Sequence, residues 1–185
     1  MSRSLLALAA AALMAIPAFA QQVVPAQSEI AFVSKQMGVP VEGKFKQWSA
    51  QIAFDPKKPE AGKIGFTIQT GSASFGSAET DAEVPKAAWF NVAKFPQASF
   101  SSSGIKALGG GKFEVRGKLA IKGSTQDVVV PVAVTQAGAA STASGSFVIK
   151  RLDFKIGEGE WADTSMVAND VTVKFKLALT GMAPL

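Results

Sequence analysis

Residues 151–163 hold the densest set of chemically capable side chains in the sequence: Arg151, Asp153, Lys155, Glu158, Glu160 and Asp163. Four carboxylates over eleven residues could offer the hard oxygen ligands that calcium takes. Their spacing does not match an EF-hand loop, which leaves a solvated acidic loop as the other reading. A glycosidase-like pair would need one acid held in a pocket that raises its pKa, and nothing in the spacing singles out such a pair. Arg151 directly follows an apolar run. Its guanidinium would either satisfy carbonyls or a loop carboxylate, or reach the anionic head group of a ligand.

The chain contains no His, no Cys and no Tyr. The usual imidazole base, the thiolate nucleophile and the common ligands for zinc, copper and haem are therefore missing. Serines are many, but none has an evident activating partner. Gly109-Gly110-Gly111 reads as a hairpin turn and not as a phosphate loop, since no helix follows it. An enzyme would have to work with carboxylates, Ser or Lys alone, so the sequence reads as non-catalytic, with no required cofactor and no metal.

The remaining chemistry is hydrophobic, and it needs strands to position it. In Val171–Thr180 the apolar Val171, Val173, Phe175, Leu177 and Leu179 alternate with Thr172, Lys174, Lys176, Ala178 and Thr180. A side-chain period of two places the two sets on opposite faces of a strand. Val128, Val130, Val132 and Val134 repeat the pattern, and Pro131 on the opposite face predicts an edge, a bulge or a strand end. Further strands are expected over Ser28–Lys35, Val41–Phe54 with a bend near Gln47-Trp48-Ser49, Lys63–Gln69, Gln97–Ser103, Lys112–Ile121 and Ala143–Lys150. Asp55-Pro56-Lys57-Lys58-Pro59 is a strong turn. Gly71–Ser77 looks too small and polar for a core strand. Ala78–Phe90 is the one helical region, divided at Pro85, with a second helical turn over Lys86–Phe90. Leu152–Asn169 is a long connection.

These elements predict an all-β fold: an antiparallel lipocalin-like barrel of about eight strands in up-and-down order, with a short helical insertion. Its apolar face would carry Phe32, Val41, Phe45, Phe66, Phe100, Phe113, Leu119, Phe147, Phe175 and Leu177. That face is either a packed core or the wall of a cavity for an apolar chain. The 13 Phe against no Tyr suit a wall that need not satisfy buried hydroxyls. Trp89 and Phe90, with Phe95-Pro96, would dock the insertion onto the sheet and form the lid or rim of such a cavity.

The first twenty residues read as a secretory signal: Arg3, an apolar stretch from Leu5 to Ile16, and Ala18-Phe19-Ala20, with cleavage before Gln21. The stretch is shorter than the roughly 20 apolar residues of a spanning helix, although an uncleaved anchor is the alternative. Of the 185 residues, 165 then remain as one domain, residues 21–185, with a net charge of +4. The lysines are spread along the strands, so they read as a solvated face and not as a nucleic-acid stripe.

The ordered segments Val39-Pro-Val-Glu-Gly-Lys-Phe45, Ile52-Ala-Phe-Asp-Pro56, Trp89-Phe-Asn-Val-Ala-Lys-Phe-Pro-Gln-Ala-Ser-Phe100, Gly117-Lys-Leu-Ala-Ile-Lys-Gly123 and Arg151-Leu-Asp-Phe-Lys-Ile-Gly157 resemble the YceI-like family of polyisoprenoid-binding, lipocalin-like proteins. The resemblance implies a periplasmic barrel holding a long apolar chain: an isoprenoid quinone, an isoprenoid phosphate or a fatty amide. It also implies contact with membrane cytochrome b-type proteins for some members, and a monomer or homodimer. Many relatives carry His after the first strand and before the helix; here those stretches read Lys35-Gln-Met-Gly38 and Ala78-Glu-Thr-Asp-Ala-Glu83, so no histidine contact carries over. Two other readings compete: a non-catalytic, stress-related barrel with a packed core, and an outer-membrane barrel. The outer-membrane reading lacks the Tyr of aromatic girdles.

Overall fold

The computed structural model describes residues 20–185. Apart from Ala20, the expected secretory signal lies outside the described residues. In chain order the strands are β1 (Ala20–Val23), β2 (Glu29–Gln36), β3 (Val39–Phe45), β4 (Trp48–Ala53), β5 (Lys63–Gln69), β6 (Ala73–Ser74), then helix α1 (Ala78–Glu83), β7 (Gln97–Gly109), β8 (Lys112–Ile121), β9 (Ser124–Ala137), β10 (Ala140–Lys150) and β11 (Asp170–Thr180). All pairings between them are antiparallel.

Alternation drives the closure. In β8 the residues Phe113, Val115, Leu119 and Ile121 are buried while Lys112, Arg116 and Lys118 are exposed. In β11 Leu177 and Leu179 are buried and Lys174 and Lys176 exposed. A sheet with one apolar face removes that face from water by rolling up. β3 and β4 are two halves of one long bent strand, broken at Lys46-Gln47, and the ring runs β2, β3–β4, β5, β7, β8, β9, β10, β11 and back to β2. This is a closed eight-stranded antiparallel barrel in up-and-down order. Past the bend β4 leaves β2, and β1 fills the gap by pairing with both β4 and β11. Gln21 clamps this seam: its side-chain amide accepts from the Phe54 N–H at 2.9 Å and donates to the Phe54 carbonyl at 3.0 Å.

Three inward-facing glycines make room for aromatic rings. A Cβ on Gly43, Gly117 or Gly145 would lie 2.4, 2.5 or 2.7 Å from the ring of Phe32, Phe100 or Phe175 respectively. Gly145 is the tightest, since its Cβ would also meet the Pro131 carbonyl oxygen at 2.2 Å. Beside that contact the β9–β10 ladder ends: it pairs Ala133–Ala137 with Ala140–Ser144 and goes no further. Pro131, which has no N–H to donate, thus borders the end of a ladder. A 3₁₀ turn, Arg151–Phe154, packs against β9 where the two strands part, with Phe154 only 1 % exposed among Leu119, Val128, Phe147 and Ile149.

The helical insertion is shorter than expected. α1 is capped by the Ser77 hydroxyl and ends before Pro85. Lys86–Phe90 forms successive turns instead of the expected helical turn, with Trp89 N–H on Lys86 O and Phe90 N–H returning to Val84 O. Pro85 supplies no N–H, and Asn91 takes a left-handed φ of 49°, so no helical ladder can continue. The Gly71–Ser77 stretch contributes β6, whose two residues are buried and pair with Lys44 and Phe45.

Two buried cations pin the loops at this end of the barrel. Arg151 is 2 % exposed and donates to five carbonyls: Nε to Ala168, Nη1 to Ile156 and Gly157, Nη2 to Trp161 and Val167. Lys122 has a left-handed φ of 49° in the β8–β9 turn, and its Nζ donates to Ala87 O, Lys155 O and the Glu158 carboxylate at 2.9, 2.7 and 2.8 Å. Residues 151–169 and the stretch after α1 are thereby joined into one cap, closed by the Trp89–Trp161 ring contact at 5.5 Å.

Two stability outcomes follow. Gly145→Ala, with a rigid carbonyl in the way, should cost about 1–3 kcal/mol in urea unfolding. Gly43→Ala, which meets the far end of a ring that can swing, should cost less. Arg151→Lys keeps the charge but leaves at least two buried carbonyls without a donor, at roughly 1–3 kcal/mol each. Proteolysis should then cut first within residues 151–169, and equal cleavage of variant and parent would disprove the brace.

Candidate ligand cavity

Inside the barrel lies a cavity of about 230 Å³ whose lining extends from Met182 and Leu179 at one end to Val167 and Ile156 at the other. The lining residues come from all the strands of the ring and run along most of the barrel's height. Its wall is almost wholly hydrocarbon and aromatic, and among the described residues only Ser34, Arg151 and Trp89 of the lining carry a side-chain nitrogen or oxygen.

The floor lies toward the β7–β8 hairpin. There Phe113 meets Phe54 edge-on at 5.0 Å, with Leu177 and Leu179 beside them. At the waist Phe66 and Phe100 lie 6.5 Å apart, with Leu119, Phe147 and Phe175 on the surrounding strands. At the capped end Phe32 touches Phe45 at 5.2 Å and Phe75 at 5.1 Å, and Phe45 in turn touches Phe90 at 6.1 Å. Trp89 joins this wall from the insertion. The structure thus brings together Phe32, Phe45, Phe66, Trp89, Phe90, Phe100, Phe113, Leu119, Phe147, Phe175 and Leu177.

Two expected site residues have other places. Val41 is half-buried opposite Ser34 and does not line the cavity. It sits toward the tip of the β2–β3 hairpin, whose Met37 and Val39 are 80 % and 62 % exposed, so the hairpin projects past the space. Arg151 borders the cavity, but the reading as a head-group ligand is corrected: all five of its N–H donors are committed to carbonyls. Burial pulls its pKa down from the ordinary arginine value.

Phe54 and Phe75 line the cavity and Phe154 packs in the core beside it, and the sequence reading missed all three. Phe54 could have been found, because it continues the inward parity of Trp48, Ala50 and Ile52. Phe75 stands in a polar stretch and Phe154 in an acidic one, so no periodic signal marks them.

The loop carboxylates do not converge. Among the described residues no three acidic groups could hold a metal ion together. Asp153 and Glu160 are exposed. Glu158 has its pKa lowered by the hydrogen bond and charge of Lys122, and Asp163 by hydrogen bonds from the hydroxyl and N–H of Ser165. Near the lid, Asp81 accepts from the Phe75 N–H and the Ser74 hydroxyl, and the Phe75 bond chiefly lowers its pKa. These carboxylates brace loops. The exterior is equally telling: β11 turns Lys174 and Lys176 outward, whereas a membrane-spanning barrel shows an apolar band there. No helix of the described residues is long and apolar enough to cross a membrane.

Comparison with known proteins agrees with this architecture. The structure is similar to Burkholderia cenocepacia BcnA, with a TM-score of 0.82 and 46% identity over 85% of this chain and 99% of that one. A polyisoprenoid-binding domain from Saccharophagus degradans, 14% identical, shares the fold with a TM-score of 0.67 over 87% of this chain and 98% of that domain. By sequence the chain is 38% identical over 88 residues to a UPF0312 protein of Azotobacter vinelandii and 39% identical over 88 residues to Protein YceI of Salmonella arizonae, each match spanning 48% of this chain. Each covers about half of the relative's length, 46%. The model of the YceI-like domain matches residues 21–179, nearly the whole barrel from β1 to β11, and the chain belongs to that family.

Proposed function

We propose that this protein is an exported, non-catalytic binding protein that holds the hydrocarbon chain of a long amphiphile inside its barrel, as a periplasmic carrier or reservoir. The supporting observation is the cavity: a space inside the barrel walled by aromatic and aliphatic side chains. Binding there is driven by transfer of apolar surface out of water. The ligand class is an isoprenoid quinone, an isoprenoid phosphate or a comparable lipid. A lining that runs along the barrel suits an extended chain, and the many phenyl rings can rotate to follow methyl branches. The cap fixed by Arg151 and Lys122 includes the stretch before Trp89, through Ala87 and Ala88, and gives the cavity a braced end. The leader at residues 1–20 supports export.

Native mass spectrometry of protein isolated from the periplasm, followed by organic extraction, should release one lipid chain per barrel. In titrations with prenols of increasing length, affinity should rise by about 0.8 kcal/mol per buried CH₂, roughly fourfold, until the cavity is full. A protein that arrives empty and refuses prenols and quinones of every length is a packed core, and the carrier reading fails. N-terminal sequencing of the same material should begin at Gln21, and a chain still bearing Leu5–Ile16 would instead be an anchored form.

A further inference from the structure

We infer that the end of the ligand held inside the cavity carries one uncharged hydrogen-bonding group, and that the Ser34 hydroxyl is its contact. The inference rests on the binding role proposed above.

Ser34 follows Ile30 and Phe32 in the inward row of β2, where parity calls for another apolar side chain. It is, among the described residues, the one hydroxyl-bearing side chain of the cavity lining. Among the described residues no group hydrogen-bonds to it. Ser34 is half-buried, so its hydroxyl still meets water, and a ligand that displaces that water must replace its hydrogen bond. A serine hydroxyl both donates and accepts, so it suits the carbonyl of a quinone or amide, or an alcohol.

Electrostatics argues against an ionised group at the same place. Among the described residues Arg151 is the only charged residue on the wall, and its five donors are held by Ala168, Ile156, Gly157, Trp161 and Val167. Lys122, the other buried cation of the cap, has its three donors on Ala87, Lys155 and Glu158. A phosphate drawn inside would lose its water and find no cationic donor in return. Ser34 pairs with Val41, near the β2–β3 hairpin tip. The polar end of the ligand therefore lies at the capped end, and the chain runs toward Phe54 and Phe113.

The test uses three probes with one carbon skeleton, phytane, phytanol and phytanyl phosphate, titrated into the full protein and into Ser34→Ala and Ser34→Thr. Phytanol should bind the parent more tightly than either other probe. Ser34→Ala should weaken phytanol about fivefold, the equivalent of one ordinary net hydrogen bond, and leave phytane unchanged; Ser34→Thr should retain phytanol binding. Unchanged phytanol affinity in Ser34→Ala, or phosphate binding as tight as phytanol in the parent, overturns the assignment and leaves the head group outside the barrel. Failure of the parent to bind even phytane removes the cavity reading itself and the assignment with it, so the hydrocarbon tells the two failures apart.

Discussion

A closed antiparallel wall satisfies its own backbone. Over most of the ring each strand has a neighbour on both sides, so peptide N–H and C=O groups point along the wall and ask nothing of the interior. Only under that condition can the inside be lined with Phe, Ile, Val and Leu and still contain space. An open sheet would have to bring its edges to water or to another chain. Where the ladder lapses, between β9 and β10 beyond Ser144, the Arg151–Phe154 turn stands beside β9. Where β4 parts from β2, β1 takes the free edge.

The two ends of the barrel are solved differently. The floor is hydrophobic, with Phe54 edge-on to Phe113. The other end is polar underneath, with Arg151 and Lys122 threading loop carbonyls together. A buried guanidinium with no carboxylate within ion-pair distance among the described residues is unusual, because desolvation of its charge is costly. Five oriented carbonyl dipoles offset that cost, and they also dictate how residues 151–169 must fold. The interior is consequently free of mobile charge. This property, more than any single side chain, decides what sort of molecule can rest there.

The barrel was legible because its signal is periodic. β8 and β11 alternate so regularly that their boundaries in the structure fall within one residue of those read from the sequence. The bent β3–β4 strand was legible for the same reason. What escaped notice is what has no period. Lys122 reads as one more surface lysine in a turn, and only the fold reveals that its side chain is buried. Nothing in the sequence reading marked Gly43, Gly117 or Gly145, yet each accommodates a phenylalanine of a neighbouring strand. Val41 has the right parity, but parity says nothing of height along the barrel axis, and it lies beyond the cavity's reach. Arg151 was open between two roles in the sequence because its donors' partners, spread from Ile156 to Ala168, depend on the path of a loop that carries no pattern.

The seam at β1 has a consequence for biosynthesis. β11 pairs with β10, β2 and β1 at once. Ser28 accepts the Ala178 N–H at 2.9 Å, and Val24 donates to the Ala178 carbonyl at 2.8 Å. These contacts join residues about 150 positions apart, and such long loops close slowly. While the chain is still being made, the β2–β3 hairpin and the β7–β10 meander can form, but the ring cannot shut until residues 170–180 emerge. No enclosed space exists before then. Any molecule held inside is therefore acquired only after the whole chain is available to close the ring.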